Sequence, residues 1–331
     1  MYLTKRIEGL TSLQNTLSKK GIPEEVMEES LLKNPWFTPY YITHSLSSIL
    51  PWLAEDVLAT FTHTYKNEIE NREPKKVGII MAGNLPFVGF HDLLIGILSK
   101  NELYLSFSHQ DEILMKWVLE SWIEADPDIE KLIYRLPTEA NLDFLLATGS
   151  DNTARYLKDA YQNTPRLIRQ NRYSVAVLDD FVTDSDLEEL AKDILLYNGL
   201  GCRNVSNVIC MSDFDIERLL NKIRLYPKKL LNSLFLEKIQ FERVRMNMLG
   251  EDFADAGNCL LTYSEDLRSV PMGLLNCVKI TGQAALEGLF NGNVNKIQCM
   301  VNKGTKFGDT QCPTISDFAD GIDTLKILTE V

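Results

Sequence analysis

The stretch VGIIMAGNLPFVGFHDLLIGIL, residues 77–98, is the most apolar window of the chain, and its reading separates a membrane protein from a globular one. It is long enough to span a bilayer, yet Asn84, Pro86, His91 and Asp92 stand in its middle, where hydrocarbon would leave their polar groups unsatisfied. A buried strand, a turn and a buried helix accommodate all four, so no membrane span is expected.

Downstream the same alternation continues. Apolar LYLSF (103–107) precedes helical DEILMKWVLESWIEA (111–125), LDFLLA (142–147) precedes NTARYLKDAYQ (152–162), and SVAVL (174–178) follows. This is the rhythm of βαβ units around a parallel sheet. Upstream, residues 1–73 read as mainly helical, with NPWFTPYYITHSL as a Pro-punctuated turn and the charged YKNEIENREPKK as a boundary. At 331 residues and 45% hydrophobic content the chain suits about two domains. Its formal net charge of -12 argues against a nucleic-acid partner, which needs a basic face. The opening MYLTKRIEGL has no basic region leading into an apolar one, so a cytoplasmic protein is expected. Six cysteines (202, 210, 259, 277, 299, 312) form no CxxC pair, and the four histidines (44, 63, 91, 109) all lie upstream, so no zinc spacing is present and no metal is expected.

Three short stretches carry candidate chemistry. In YNGLGCRNVSNVIC (197–210), Cys202 follows Gly199 and Gly201 and precedes Arg203, whose charge favours a thiolate. A helix is expected just before it, with Ser185 and Glu188 as a capping box, Leu187, Leu190, Ala191, Ile194 and Leu195 on one face, and Gly199 as the stop. The partial negative charge of that helix end opposes ionisation, and both a nucleophile and a buried spacer remain open. Asn84, after the first strand, is either an oxyanion donor or a turn-stabilising residue. Thr148, Gly149 and Ser150 lie between a strand and a helix, which suits a phosphate; Ser150 as a plain N-cap is the alternative, and Asp151 would repel an anion. Trp117 and Trp122 read as core. His91 reads as a satisfied histidine rather than as a base for Cys202.

Taken in order, MAGNLPFVGFHDLL, ATGSDNTARY, IRQNRYSVAVLD, YNGLGCRNVSNV and DFADGIDTLKIL resemble the LuxC-type acyl-CoA reductase family, a branch of the aldehyde dehydrogenase superfamily. The resemblance covers about residues 77–331. It implies that Cys202 attacks an acyl thioester, that coenzyme A leaves, and that NADPH delivers hydride to release a long-chain aldehyde. Asn84 and the backbone N–H of Cys202 then serve the oxyanion, Thr148, Gly149 and Ser150 hold the dinucleotide, and Phe307 with Gly308 resembles a further cofactor motif. Where the superfamily has a lysine touching the adenosine ribose, this chain has Ser106, which leaves NADH open beside NADPH. Where oxidising relatives carry a water-activating glutamate, it has Arg169, with a phosphate or a carboxylate as its partner.

The resulting expectation is an α/β protein of the aldehyde dehydrogenase type. A helical region and Rossmann-type dinucleotide-binding domain occupy 1–173, and an α/β catalytic domain occupies 174–305. A tail at 306–331 returns to the first domain or to a partner subunit, and cofactor and cysteine meet at a cleft. The substrate is an acyl-CoA or acyl carrier protein thioester, and a homo-oligomer is compatible with the chain. A Cys-dependent acyltransferase or thioesterase without nicotinamide, and a non-catalytic subunit binding acyl carriers, remain open as alternatives.

Overall fold

The computed structural model describes residues 1–137, 141–211 and 213–331. Two units divide the chain: residues 1–170 with 314–331, and residues 171–313. The sequence reading places these boundaries at 173 and 305.

The first unit begins with five helices: α1 (Tyr2–Lys20), α2 (Glu24–Lys33), α3 (Pro39–Ile49), α4 (Glu55–His63) and α5 (Lys66–Glu70). Helix α1 buries Leu3, Arg6, Leu10, Leu13 and Leu17 at three- and four-residue spacing, the stripe that an amphipathic helix presents to a core. Strand β1 (Lys76–Ile80) and helix α6 (Phe90–Leu98) then divide the apolar window with a turn between them. Every residue of α6 except His91 is buried. Next come β2 (Glu102–Ser106), α7 (Glu112–Ala125), β3 (Ile133–Arg135), β4 (Phe144–Thr148), α8 (Asp151–Ala160) and β5 (Arg166–Arg169). The sheet order is β3-β2-β1-β4-β5 and every pairing is parallel. Strands β3 and β5 escape the sequence reading because each is short, sits at an edge and contains arginine rather than an apolar run. No helix among the described residues is long and apolar enough to cross a membrane.

A buried ion pair ties this unit together. The Arg169 guanidinium donates to Asp92 Oδ1 at 2.6 Å and to Thr324 Oγ1 at 2.7 Å. The arginine and aspartate are 4% and 5% exposed. Of the two partners left open for Arg169, the structure shows the carboxylate. Thr324 stands two residues beyond Ile322 in the C-terminal segment, which belongs to this unit and ends in a last helix.

The second unit contains β6 (Tyr173–Leu178), α9 (Asp184–Leu195), β7 (Val205–Met211), α10 (Ile216–Leu225), α11 (Ser233–Leu249), β8 (Ala254–Asp255), β9 (Leu260–Ser264), β10 (Leu274–Ile280), α12 (Gln283–Asn293) and β11 (Ile297–Val301); the last helix of the chain is α13 (Thr324–Glu330). The sheet runs β11-β6-β7-β10-β9-β8, parallel except where β8 meets β9. All of β6 is buried, which explains why its sequence is apolar apart from Ser174 and the Tyr173 hydroxyl. The capping box of α9 is Thr183 with Asp186, two residues before the expected Ser185 and Glu188: Thr183 Oγ1 accepts from Asp186 N–H and the Asp186 carboxylate accepts from Thr183 N–H. Both pairs fit the capping spacing, and the apolar face entering at Leu187 does not choose between them.

Replacing Arg169 by Leu strands the Asp92 carboxylate in the interior and is expected to cost about 3–5 kcal/mol in urea unfolding, the usual result of breaking a buried pair. Arg169→Glu sets a second carboxylate against Asp92 and should destabilise at least as much, with partial recovery at low pH as one of the two is protonated.

Candidate active site

Cys202 lies on an exposed turn between α9 and β7. Helix α9 stops at Leu195 rather than running to Gly199, because Tyr197 (φ 55, ψ 25) and Asn198 (φ 57, ψ 25) take left-handed conformations before Gly199 at φ 70. Such angles cost a non-glycine residue about 1–2 kcal/mol. Burial of both side chains and the bond from Asn232 N–H to Asn198 Oδ1, at 3.0 Å, offset that strain.

Two buried polar residues hold the turn that follows. The Asn204 amide donates to the carbonyls of Asp193 (3.0 Å) and Leu196 (2.7 Å), and its Oδ1 accepts from Gly201 N–H (2.9 Å). It thereby caps the end of α9 and neutralises the carbonyls whose partial charge opposes a thiolate. On the other flank, Ser174 Oγ donates to the Cys202 carbonyl at 2.9 Å and accepts from Cys299 N–H at 3.1 Å. Arg203 sends its guanidinium to Cys299 Sγ at 3.4 Å. Cys202 is thus an exposed thiol on a fixed turn, not a core spacer. Cys210, Cys259, Cys277 and Cys299 are buried.

Phe307 is half-buried in a turn of the same unit. Its neighbours are anchored by Asp193, whose carboxylate accepts from Gly308 N–H (2.8 Å), Thr310 N–H (3.2 Å) and Thr310 Oγ1 (2.7 Å). Gly308 has φ 85, and a Cβ there would come within 2.6 Å of a Glu189 carboxylate oxygen. Burial raises the Asp193 carboxyl to about 6 against the lowering effect of these bonds.

In the first unit the sheet order brings the other candidates to one end. Strand β1 has β2 on one side and β4 on the other, with Ile80 level with Ser106 and Ala147, so the chain diverges there into opposite crossovers. The carboxyl ends of such strands form a ligand crevice. Asn84 is half-buried in the loop after β1, Ser106 ends β2, and Thr148 ends β4. Ser45 donates to the Pro86 carbonyl at 2.6 Å within the Asn84 loop. Phe87, at φ 57, and Val88 turn their N–H groups toward the buried Asp111 carboxyl, whose pKa burial drives well above the usual range.

Thr148 Oγ1 is buried without a hydrogen-bond partner. A Cβ on Gly149 would lie 2.9 Å from Thr153 Cβ, so glycine lets the chain turn into α8 directly against the Thr153 side chain. Ser150 caps α8, accepting from Thr153 N–H at 3.3 Å. An orphaned hydroxyl beside a glycine turn and a helix start fits a dinucleotide phosphate or ribose, although Asp151 follows in the first turn. His91 places Nε2 2.8 Å from the Ile315 carbonyl and stands edge-on to Trp52 and Phe318. Among the described residues no group of three or more His, Cys, Asp or Glu side chains could hold a metal ion. Sequence reasoning missed Asp193, Asn204 and Ser174. For Asp193 a signal existed: an acidic residue three positions after Leu190 falls beside the apolar face of α9.

The two sheets and their crossovers are those of the aldehyde dehydrogenase fold. Aldehyde dehydrogenase from Bacillus cereus, solved with NAD+, is similar at TM-score 0.67 and 12% identity, over 94% of this chain and 74% of that one. Aldehyde dehydrogenase 21 from Physcomitrella patens, solved with succinate, gives 0.69 and 10% over 99% and 84%; the Mycobacterium tuberculosis enzyme with NAD+ gives 0.65 and 12% over 88% and 71%. No curated protein matches the chain in sequence. The particular family is given by residues 36–224, more than half of the chain, which match acyl-CoA reductase (LuxC): the protein belongs to that family and is an oxidoreductase of the acyl-CoA reductase class.

The Asp193 shift has a sign that can be measured. Its folded-state value of about 6 stands above the ordinary 3.8, so the stability it contributes is complete below about pH 4 and is lost as pH rises through 6. The loss amounts to about 3 kcal/mol at 1.36 kcal/mol per pH unit. Urea unfolding of wild type and Asp193→Asn from pH 4 to 7 should show this slope in the wild type minus variant difference.

Proposed function

We propose that the protein reduces a fatty acyl thioester, an acyl-CoA, to the aldehyde with NADPH through a covalent acyl-Cys202. The observation that carries this reading is the exposed Cys202 on a turn held by Ser174 and Asn204, in a member of an acyl-CoA reductase family.

The Cys202 thiolate attacks the thioester carbonyl, a carbon–sulfur bond forms, and coenzyme A leaves with the electron pair of the bond that breaks. The Asn84 amide and the Cys202 N–H steady the oxyanion of this tetrahedral step. Thr148, Gly149 and Ser150 hold the dinucleotide at the end of β4, Ser106 takes the ribose side at the end of β2, and Phe307 supplies an apolar contact. The reduced dinucleotide, when bound, supplies the hydride that converts acyl-Cys202 to aldehyde. Cys202 is then released as thiolate. The first unit is thus the dinucleotide-binding domain and the second the catalytic domain. With Ser106 in place of a lysine, NADH serves as an alternative donor. Arg169, locked to Asp92, offers no general base, so the acyl-enzyme is spared hydrolysis. We place the reaction in the cytoplasm, with acyl carrier protein as an alternative thioester carrier and a homo-oligomer as the working form.

Mixing the protein with long-chain acyl-CoA and no nicotinamide should leave an acyl group on Cys202, read by peptide mass spectrometry and removed by neutral hydroxylamine. Adding NADPH should yield aldehyde with matched NADPH consumption. Coenzyme A release without NADPH consumption would make the protein a thioesterase or acyltransferase, and no release at all a non-catalytic acyl-carrier binder. Asn84→Ala should lower turnover by about two to three orders of magnitude, as loss of one oxyanion donor does.

A further inference from the structure

We propose that Asp193 is a positioning residue that holds the Phe307 turn with its side chain and the Cys202 turn with its main chain, so that one residue of α9 sets both. The inference rests on the functional reading above, which gives Cys202 the nucleophile's role and Phe307 a cofactor contact.

Asp193 is 1% exposed. A carboxylate so deep in a helix is costly unless its oxygens are satisfied. Here both are: one accepts from Gly308 N–H, the other from the Thr310 N–H and hydroxyl. These three donors come from one short segment that follows Phe307, and Gly308 must keep its left-handed angle to bring its N–H to the carboxylate. The same residue's carbonyl accepts from the Asn204 amide, and Asn204 in turn accepts from Gly201 N–H, the residue before Cys202. A displacement of Asp193 therefore moves both turns, whereas each can be loosened alone further out. Thr310, fully buried, reaches only the first. Asn204 reaches only the second.

This hierarchy gives the test. The full-length protein is prepared as wild type, Asp193→Asn, Thr310→Val and Asn204→Ala. Each is assayed for NADPH binding by fluorescence titration, for iodoacetamide alkylation of Cys202 by peptide mass spectrometry, and for kcat and KM. Thr310→Val should weaken NADPH binding at least threefold with Cys202 alkylation unchanged. Asn204→Ala should slow alkylation at least threefold with NADPH affinity unchanged, because the helix-end carbonyls it capped are left bare beside the thiol. Asp193→Asn keeps an acceptor for Thr310 but presents an N–H to Gly308, and should move both readouts. A merely structural role would lower thermal stability in all three variants without this division.

Wild-type values of both readouts in folded Asp193→Asn would overturn the proposal. If that variant does not fold, the other two decide: a Thr310→Val protein with wild-type NADPH affinity, or an Asn204→Ala protein with wild-type alkylation, overturns it equally. A wild-type protein that binds no NADPH and forms no acyl-Cys202 refutes the functional reading instead, a result visible before any variant is made.

Discussion

Parallel pairing is the constraint from which the rest follows. A parallel neighbour cannot be reached by a tight hairpin, so each strand must be followed by a crossover, and helices come to cover the sheet. In the first unit this buries β1 completely at Val77 and Ile79 and forces the chain off the carboxyl ends of β1, β2 and β4 at one place. The loops that leave there need not fold as regular structure, so they are free to carry Asn84, Ser106 and the Thr148–Ser150 turn. The apolar window that could have been a membrane span is the first such strand and crossover.

In the second unit regular structure is interrupted where Cys202 stands, and polar side chains take over what backbone ladders do elsewhere. The end of α9 would leave carbonyls unsatisfied; Asn204 satisfies them and fixes the next turn with the same side chain. Ser174, near the start of β6 where its register with β7 shifts, performs the equivalent service between Cys202 and Cys299. Strain at Tyr197 and Asn198 persists because these contacts surround it.

What could be read from the sequence was what burial writes locally. The strands β1, β4, β6 and β7 are visible as apolar runs because both their faces are largely covered, β2 is visible although it buries only the face of Leu103 and Leu105, and α6, α7, α8 and α9 are visible from their periodicity. The short arginine-bearing edge strands β3 and β5 leave no such trace. Cys202 was legible as a loop residue between a helix and a strand, but the left-handed Tyr197 and Asn198 were not, since neither residue type announces that angle as glycine does. The partner of Arg169 was illegible for another reason: Asp92 and Thr324 lie far from it in sequence, and only the folded sheet brings β5, α6 and the C-terminal segment together. Asp193 and its bonds to Gly308 and Thr310 were hidden by the same distance along the chain.

The placement of Cys202 within its own sheet has a consequence for how the second unit is built. Strands β6, β7, β10 and β11 run parallel, so Tyr173, Val205, Leu274 and Ile297 mark one end of the sheet, the end at which strands begin. Cys202 precedes Val205 and therefore stands at this end, opposite the one where an α/β sheet ordinarily gathers its ligands. Helix α9 runs back across the sheet against β7, which brings its last turn, and Asp193, to the same end. Strand β11 finishes at the far end, yet Gly308 and Thr310 are bonded to Asp193, so the segment after β11 must return along the sheet. The chain also enters the unit at Asn171, just before Tyr173, and leaves at Pro313, just beyond Thr310. Cys202, the Phe307 turn, entrance and exit thus collect where the strands begin, and Asp193 is a residue at which the return path is fastened. The return starts in the turn that follows β11, where Asn302 N–H donates to the Thr305 carbonyl and Thr305 N–H to the Met300 carbonyl, and the Asp193 bonds to Gly308 and Thr310 then hold the stretch beyond Phe307 at the end where Cys202 stands.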